Sequence, residues 1–464
     1  MIARTAVLAA ALTAALALAA APAGAEPSAW ILTTDYSTFG RVRSFAGAGP
    51  WTVSADLATI PGDAAGRHHG GLVYIVGRGG SGVLQVYDPA AGFALVDEFS
   101  LGAGRNPQDI AFDTAGEAYV PCYDEAVLLR VDPVTGTILG TYSTAAFADA
   151  DGLPETAWCA AAGDLLYIAC QQLDRANWYG PSGPGAILVF DMAAEQWVDM
   201  DPVAPGVQPI TLQGGNPYTR LVLDGATLAV GCAGWFGLAD GGIELVDLAA
   251  GVSLGYAVTE AELGGDVLVI APDGDCWLAL VSDASFITGV RRACPGGVTV
   301  LDTGTGYVHA DLWLEGGLLH VLDRTTGAAG LRVLDPVSGQ ELTDGAIATG
   351  LPPFMFVPPA SAPSAAPLPL TAGLTLGAPY PNPCNPAARI DVTGPAGGAV
   401  AVTVHDLRGR RVAGATVRTD QAGRGEFVFG GVDDRGAALP AGLYRVLARD
   451  GRGGRAATAV TLVK

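Results

Sequence analysis

Leu128-Leu129-Arg130-Val131-Asp132-Pro133-Val134-Thr135-Gly136 is the stretch whose reading decides the fold. Leu and Val ahead of the Asp favour a pleated, half-buried strand. The Asp carboxylate can accept from the backbone two residues on, Pro presets φ for a turn, and Gly136 supplies positive φ. The stretch therefore reads as strand 128–131, turn 132–136 and strand 137–142. The same pattern returns at Val86-Tyr87-Asp88, Val189-Phe190-Asp191, Leu245-Val246-Asp247, Val300-Leu301-Asp302 and Val333-Leu334-Asp335. Occupying one place in a repeat, these six Asp read as turn stabilisers rather than general acids.

Upstream of the copies lie further apolar strands, such as 117–123, 165–171, 227–232 and 318–323. Upstream again is a fourth set: 107–112, 154–160, 217–223, 265–271 and 307–314. Four antiparallel strands per unit of roughly 45 residues is the signature of a β-propeller blade. Seven innermost strands are expected, starting near Ala64, Pro107, Pro154, Pro217, Gly264, Tyr307 and Pro353. No strands follow the last before the chain turns Pro-rich. The opening segments 29–36, 40–46 and 51–60 lack an innermost strand. Joining the two pieces into one blade removes two exposed sheet edges. The expected fold is all-β: a seven-bladed β-propeller followed by a small immunoglobulin-like sandwich.

The 464 residues carry a formal charge of −21, unevenly spread. After the leader and before the linker, twelve Arg stand against thirty-nine acids, a net of −27. From Gly373 onward, eleven Arg and one Lys stand against seven acids, a net of +5. An acidic propeller repels nucleic acid and anionic membranes, so neither is expected as a partner. Residues 1–25 read as an export signal, with Arg4 ahead of an apolar stretch and Ala23-Gly24-Ala25 at the cut. No transmembrane segment is expected. The propeller occupies 26–358, a Pro/Ala/Ser linker 359–373, and a second module 374–464.

The Asp-Pro-x-x-Gly units resemble the YVTN family of repeat propellers, a likeness that speaks to fold rather than activity. The C-terminal module is read from Tyr380-Pro381-Asn382-Pro383, Asn385-Pro386, Gly409, Gly436 and Gly442-Leu443-Tyr444. In that order these motifs resemble the type A C-terminal sorting domain of the type IX secretion system. They are also similar to the immunoglobulin-like domain of flagellar-hook capping proteins. Cys384 and Gly430 depart from the pattern, standing where Phe and Trp are usual. The resemblance implies export through the periplasm of a Gram-negative-type envelope, with the secretion and sorting machinery of the outer membrane as partner. Delivery to the cell surface or the medium would follow.

Two candidate sites stand out. Long connections after second strands, 171–185, 233–241 and 282–297, carry Trp178, Tyr179, Trp235, Phe236, Phe286, Arg291 and Arg292. Aromatics and Arg on neighbouring loops suit recognition, or else cover the ends of their own blades. The other candidate is the channel mouth, where innermost strands offer His68, Arg105, Arg220 and His309, with Arg67, His69, Asn106, Gln108, Asp109, Trp158, Asn216 and Asp311 nearby. Adjacent His68 and His69 point to opposite faces of a strand, so no metal is expected there. No cofactor is expected either. Cys122, Cys170 and Cys232 end equivalent second strands. They read as small buried hydrophobes, or as disulfide partners, with Cys294 a candidate mate.

No nucleophile elbow, zinc-protease or phosphate-loop motif occurs in the sequence. Two functions stay open. The first is an exported binding module for a protein or glycan ligand. The alternative is a lactonase-like hydrolase or lyase acting at the channel mouth through His and Arg.

Overall fold

A computed structural model describes residues 29–359 except 48, 202 and 203, and residues 374–463 except 395, 396, 407–410, 422 and 451–454. The expected export signal, Gly409 and the linker after residue 359 lie outside the described residues.

The first unit is a ring of antiparallel sheets, each four strands deep from axis to rim. Sheet 1 runs Ala64–His69, Leu72–Gly77, Val83–Asp88, Ala94–Ser100. Sheet 2 runs Ala111–Phe112, Ala118–Pro121, Val127–Val131, Ile138–Ser143. Sheet 3 runs Thr156–Ala162, Leu165–Cys170, Ala186–Asp191, Gln196–Trp197, with Ile210–Thr211 also pairing its third strand. Sheet 4 runs Val222–Asp224, Thr227–Cys232, Gly242–Asp247, Val252–Thr259. Sheet 5 runs Asp266–Asp273, Cys276–Ser282, Thr288–Cys294, Gly297–Thr303. Sheet 6 runs His309–Glu315, Leu318–Asp323, Gly330–Leu334, Ile347–Ala348. The closing sheet takes Pro353–Val357 from the end of the unit and Ala29–Thr34, Phe39–Phe45 and Ala58–Pro61 from its beginning. Trp30 pairs with Val357 and Leu32 with Met355.

The period-2 alternation of each strand sends successive side chains to opposite neighbouring sheets. Leu129 and Tyr74 share the apolar layer between sheets 1 and 2, whereas Leu128 joins Phe190 between sheets 2 and 3. Tyr167 and Val230 join sheets 3 and 4, and Ile243 and Val281 join sheets 4 and 5. Leu278 and Val321 join sheets 5 and 6, and Leu331 and Phe356 join sheet 6 to the closing sheet. Leu32 and Ile75 bring the cycle back to sheet 1. A linear stack would leave one end layer without a partner; here each layer has two sheets. The arrangement is propeller-like.

Five of the six repeat Asp do what their place in the sequence requires. Asp88, Asp132, Asp191, Asp247 and Asp335 each accept backbone N–H bonds two or three residues on. The exception is Asp302. It lies in the fourth strand of sheet 5, not before the turn, because a tight reversal after Cys294 has already returned the chain. Asp302 instead pairs with Arg332 and with His309 Nε2 at 3.1 Å. Burial opposes its charge, but these two partners hold its carboxyl down to about 2.

The disulfide also differs from the expected mate. Cys294 bonds Cys276 on the neighbouring strand of its own sheet. Cys122, Cys170 and Cys232 are buried free thiols. Each lies in an apolar layer; that of Cys170 also holds Cys159, itself a free thiol, so they are small core residues.

Residues 374–463 form two further sheets around a core of their own. One is Thr375–Leu376, Ala388–Thr393 and Arg424–Phe429; the other is Arg411–Arg418, Ala399–His405, Gly442–Asp450 and Arg455–Leu462. Ile390, Phe429, Val402, Tyr444 and Val460 fill the space between them. The Tyr380–Pro386 motif lies along the final strand. Asn382 accepts from Thr461 N at 2.8 Å, and Cys384 is buried with its N–H on Thr461 O at 2.7 Å. Tyr380, Pro381, Pro383, Asn385 and Pro386 are exposed around it. Tyr444 closes its own corner by donating to Pro440 O at 2.7 Å. Gly436 takes φ 81° in the turn that Asp433 holds, and Gly442 opens a strand.

Candidate functional site

An innermost strand of six residues at about 3.3 Å per residue spans roughly 20 Å, so its two ends open on opposite faces of the ring. This splits the residues that the sequence grouped at one mouth. The starts of the innermost strands surround a cavity of about 530 Å³. Gln108, Trp158, Arg220, Asp311 and Phe354 come from five sheets, and Tyr307 and His309 begin sheet 6. Arg67, His68 and His69 line a separate cavity at the other end, with Phe112 and Asp113. There His69 stacks on Phe112 at 4.1 Å and His68 lies 5.1 Å from Trp30, so the two imidazoles diverge as expected. The Trp158 indole stands between the two chambers. Arg78 of the first cavity lies 5.4 Å from its ring and Arg67 of the second 6.0 Å.

Sequence reasoning missed most of the first cavity's lining. Arg78, Tyr123, Gln171 and Arg324 are lining residues at one repeated position, just past the end of a second strand. That strand runs antiparallel to its innermost neighbour and ends where the neighbour begins, so the next side chain meets the mouth. Aligning the repeats on their second strands would have found this set. Tyr218 and Tyr307 complete the aromatic lining. Burial raises the Tyr218 phenol and pushes Tyr307 up to about 12, so both remain neutral hydrogen-bonding groups at pH 7.

Fixed ion pairs hold the floor. Arg220 reaches across from sheet 4 to Asp311 of sheet 6 and donates to Phe356 O at 3.1 Å. Asp311, almost wholly buried, also accepts from Phe356 N and Leu312 N. At the opposite end Asp109 does the same, taking Arg67 and the Cys159 N–H. Each carboxylate thereby ties its innermost strand to the next sheet. His309 borders the cavity, but its imidazole is fully buried, with Nδ1 on Thr288 Oγ1 and Nε2 on Asp302. Arg105 stands on the rim, paired with Glu125 at 2.7 Å.

The long connections of sheets 3 and 4 rise beside this cavity. Trp178 is 91 % exposed, and both it and Tyr179 hold φ 57°. Bulky residues in the left-handed region cost about 1–2 kcal/mol each, so their surroundings must enforce the shape. Asp174 does so by accepting from Ala176 N and Asn177 N, while Tyr179 N binds Asp174 O. Arg175 lies 5.8 Å from the Tyr179 ring and 5.3 Å from that of Tyr123, a cavity residue. From sheet 4, Trp235 packs so closely on Gly180 that a Cβ there would overlap the indole. Phe236 meets Tyr218 edge-on at 5.3 Å. The two loops thus connect to the mouth at Tyr123 and at Tyr218.

The third expected excursion is not a loop. Residues 283–287 make a short turn with exposed Phe286 at its tip, and Thr288–Cys294 is the third strand of sheet 5. Arg291 and Arg292 therefore do not project. Arg291 donates to Leu263 O and Asp302 O, and Arg292 pairs with Asp273.

No family model and no curated protein matches the sequence. Among solved structures the chain is similar to the periplasmic gluconolactonase of Pseudomonas aeruginosa: 16 % identity, TM-score 0.49, covering 72 % of this chain and 99 % of that one. AztD of Citrobacter koseri is 12 % identical with TM-score 0.43, covering 87 % and 99 %. PorZ, a surface component of the type-IX secretion system of Porphyromonas gingivalis, is 13 % identical with TM-score 0.41, covering 92 % and 64 %. Likeness at this level carries no argument about activity. No helix among the described residues is long and apolar enough to cross a membrane.

Proposed function

We propose that this chain is an exported seven-bladed propeller that binds a saccharide at its channel mouth. We also propose that its C-terminal module is an immunoglobulin-like sorting domain that delivers it to the cell surface or the medium. The observation that carries the binding reading is the cavity itself. Its volume falls in the range of small-ligand sites, roughly 300–1,000 Å³. Its lining alternates amides and guanidiniums (Asn106, Gln108, Gln171, Arg78) with the rings of Tyr123, Tyr218 and Tyr307. Paired planar hydrogen-bonding groups suit vicinal hydroxyls, and ring faces suit the C–H face of a sugar.

Binding is favoured over catalysis by the state of the titratable groups. Both carboxylates of the lining are committed to guanidiniums, Asp63 to Arg78 and Asp311 to Arg220. A general base must reach a substrate proton, and the buried His309 ring has both nitrogens bonded. The lactonase-like alternative thus loses the His309 base at this mouth.

A glycan array on purified protein tests the reading, with Phe236→Ala and Trp178→Ala alongside. Wild type is expected to bind a defined saccharide set, and Phe236→Ala to weaken it about tenfold by freeing Tyr218 from its edge contact. An array with no saccharide retained, or identical profiles for wild type and Phe236→Ala, would count against the mouth.

A further inference from the structure

We infer that the mouth is built for an acidic saccharide, whose carboxylate is received by Arg324; this rests on the saccharide reading above. Among the described residues, ten of the twelve Arg of the ring have a carboxylate within ion-pair distance. Arg291 is half-buried against backbone carbonyls. Arg324 is the remaining one, and it faces the cavity. It lies over the Tyr307 ring at 4.7 Å and gives one N–H to Tyr307 O at 3.3 Å. The guanidinium also meets the Tyr307 phenol, and the contacts to this one residue hold it in place with further N–H donors left for a planar partner.

Charge counting agrees. The lining holds three guanidiniums, Arg78, Arg220 and Arg324, against two carboxylates, Asp63 and Asp311. The excess of one positive charge sits inside a ring whose sequence nets −27. The opposing field does not decide the matter. Exposed charges are screened beyond about 8 Å at physiological ionic strength, whereas a carboxylate on Arg324 would be in contact. A neutral sugar could take the Arg324 donors but would leave its charge unmatched, whereas a carboxylate answers both the donors and the charge.

The test is calorimetric titration with trigalacturonic acid, its methyl ester and sodium acetate, on wild type and Arg324→Gln. Wild type is expected to bind the free acid at least tenfold more tightly than the ester, with acetate far weaker than either. Arg324→Gln should bring the acid down to the level of the ester while its melting temperature stays at the wild-type value. Equal affinity for acid and ester would overturn the carboxylate assignment and leave the saccharide site standing. Acetate binding as tightly as the trisaccharide would mean a bare anion site and overturn the inference. Failure of wild type to bind either sugar, with glycan-array retention of neutral saccharides, would again sink the acidic preference alone. Failure on both would sink the site.

Discussion

Replacing Arg220 by alanine is expected to destabilise the ring by about 3–5 kcal/mol, the range for stripping one partner from a buried ion pair. Asp311 is 4 % exposed, and two backbone N–H groups are aimed at it. Burial raises its carboxyl, and Arg220 is the first influence opposing that rise. Without the guanidinium the carboxyl rises further. A raised folded value means the folded state holds a proton that the unfolded chain has released. Stability is then present below the unfolded value, about 3.9, and is lost as pH rises toward the folded one. The Arg220→Ala deficit should therefore be larger at pH 8 than at pH 5. Chemical denaturation at the two pH values measures it. A pH-independent deficit under 1 kcal/mol would show that the pair does not brace the ring.

Removing residues 374–464 is expected to leave the ring's melting transition unchanged and to abolish surface delivery. The physical ground is that, among the described residues, the module's core contains no residue of the ring, and no ring layer contains a residue beyond Val357. Among the described residues, a hydrogen bond from Arg445 to Ser253 O links the two units, worth about 2 kcal/mol net for a charged donor. Fractionation of cells expressing the full and truncated chains reads the outcome. Truncated protein should be found in the periplasm with native thermal stability. Normal surface display of the truncated form would refute the sorting role, and a collapsed melting transition would refute the independence of the units.

The ring was legible in the sequence because its signals are local and repeated. Asp132-Pro133 and Gly136 mark a turn wherever they occur, and the unmatched ends at residues 29–36 and 353–357 called for each other. Sheet 5 defeated the same logic. Val300-Leu301-Asp302 matches the repeat, but the reversal at Cys294 shifts the phase by one strand. That shift makes Arg291 and Arg292 strand residues rather than loop residues, and places Cys294 opposite Cys276. At the site, pattern gave the starts of the innermost strands and hence Trp158, Arg220 and Asp311. It did not separate the two ends of a strand, so His68 was grouped with residues that open on the other face. Nor did it supply long-range pairing: nothing in the sequence says that Arg78 has Asp63 while no acid among the described residues pairs with Arg324.

Hydrogen–deuterium exchange of the full chain, with and without a saturating saccharide retained on the array, tests the central assignment most directly. Protection is expected in peptides carrying Arg78, Asn106, Gln171, Tyr218, Tyr307 and Arg324, which converge on one cavity from five sheets. Protection confined to the outer strands, or to the Arg67–His69 cavity at the opposite end, would contradict it.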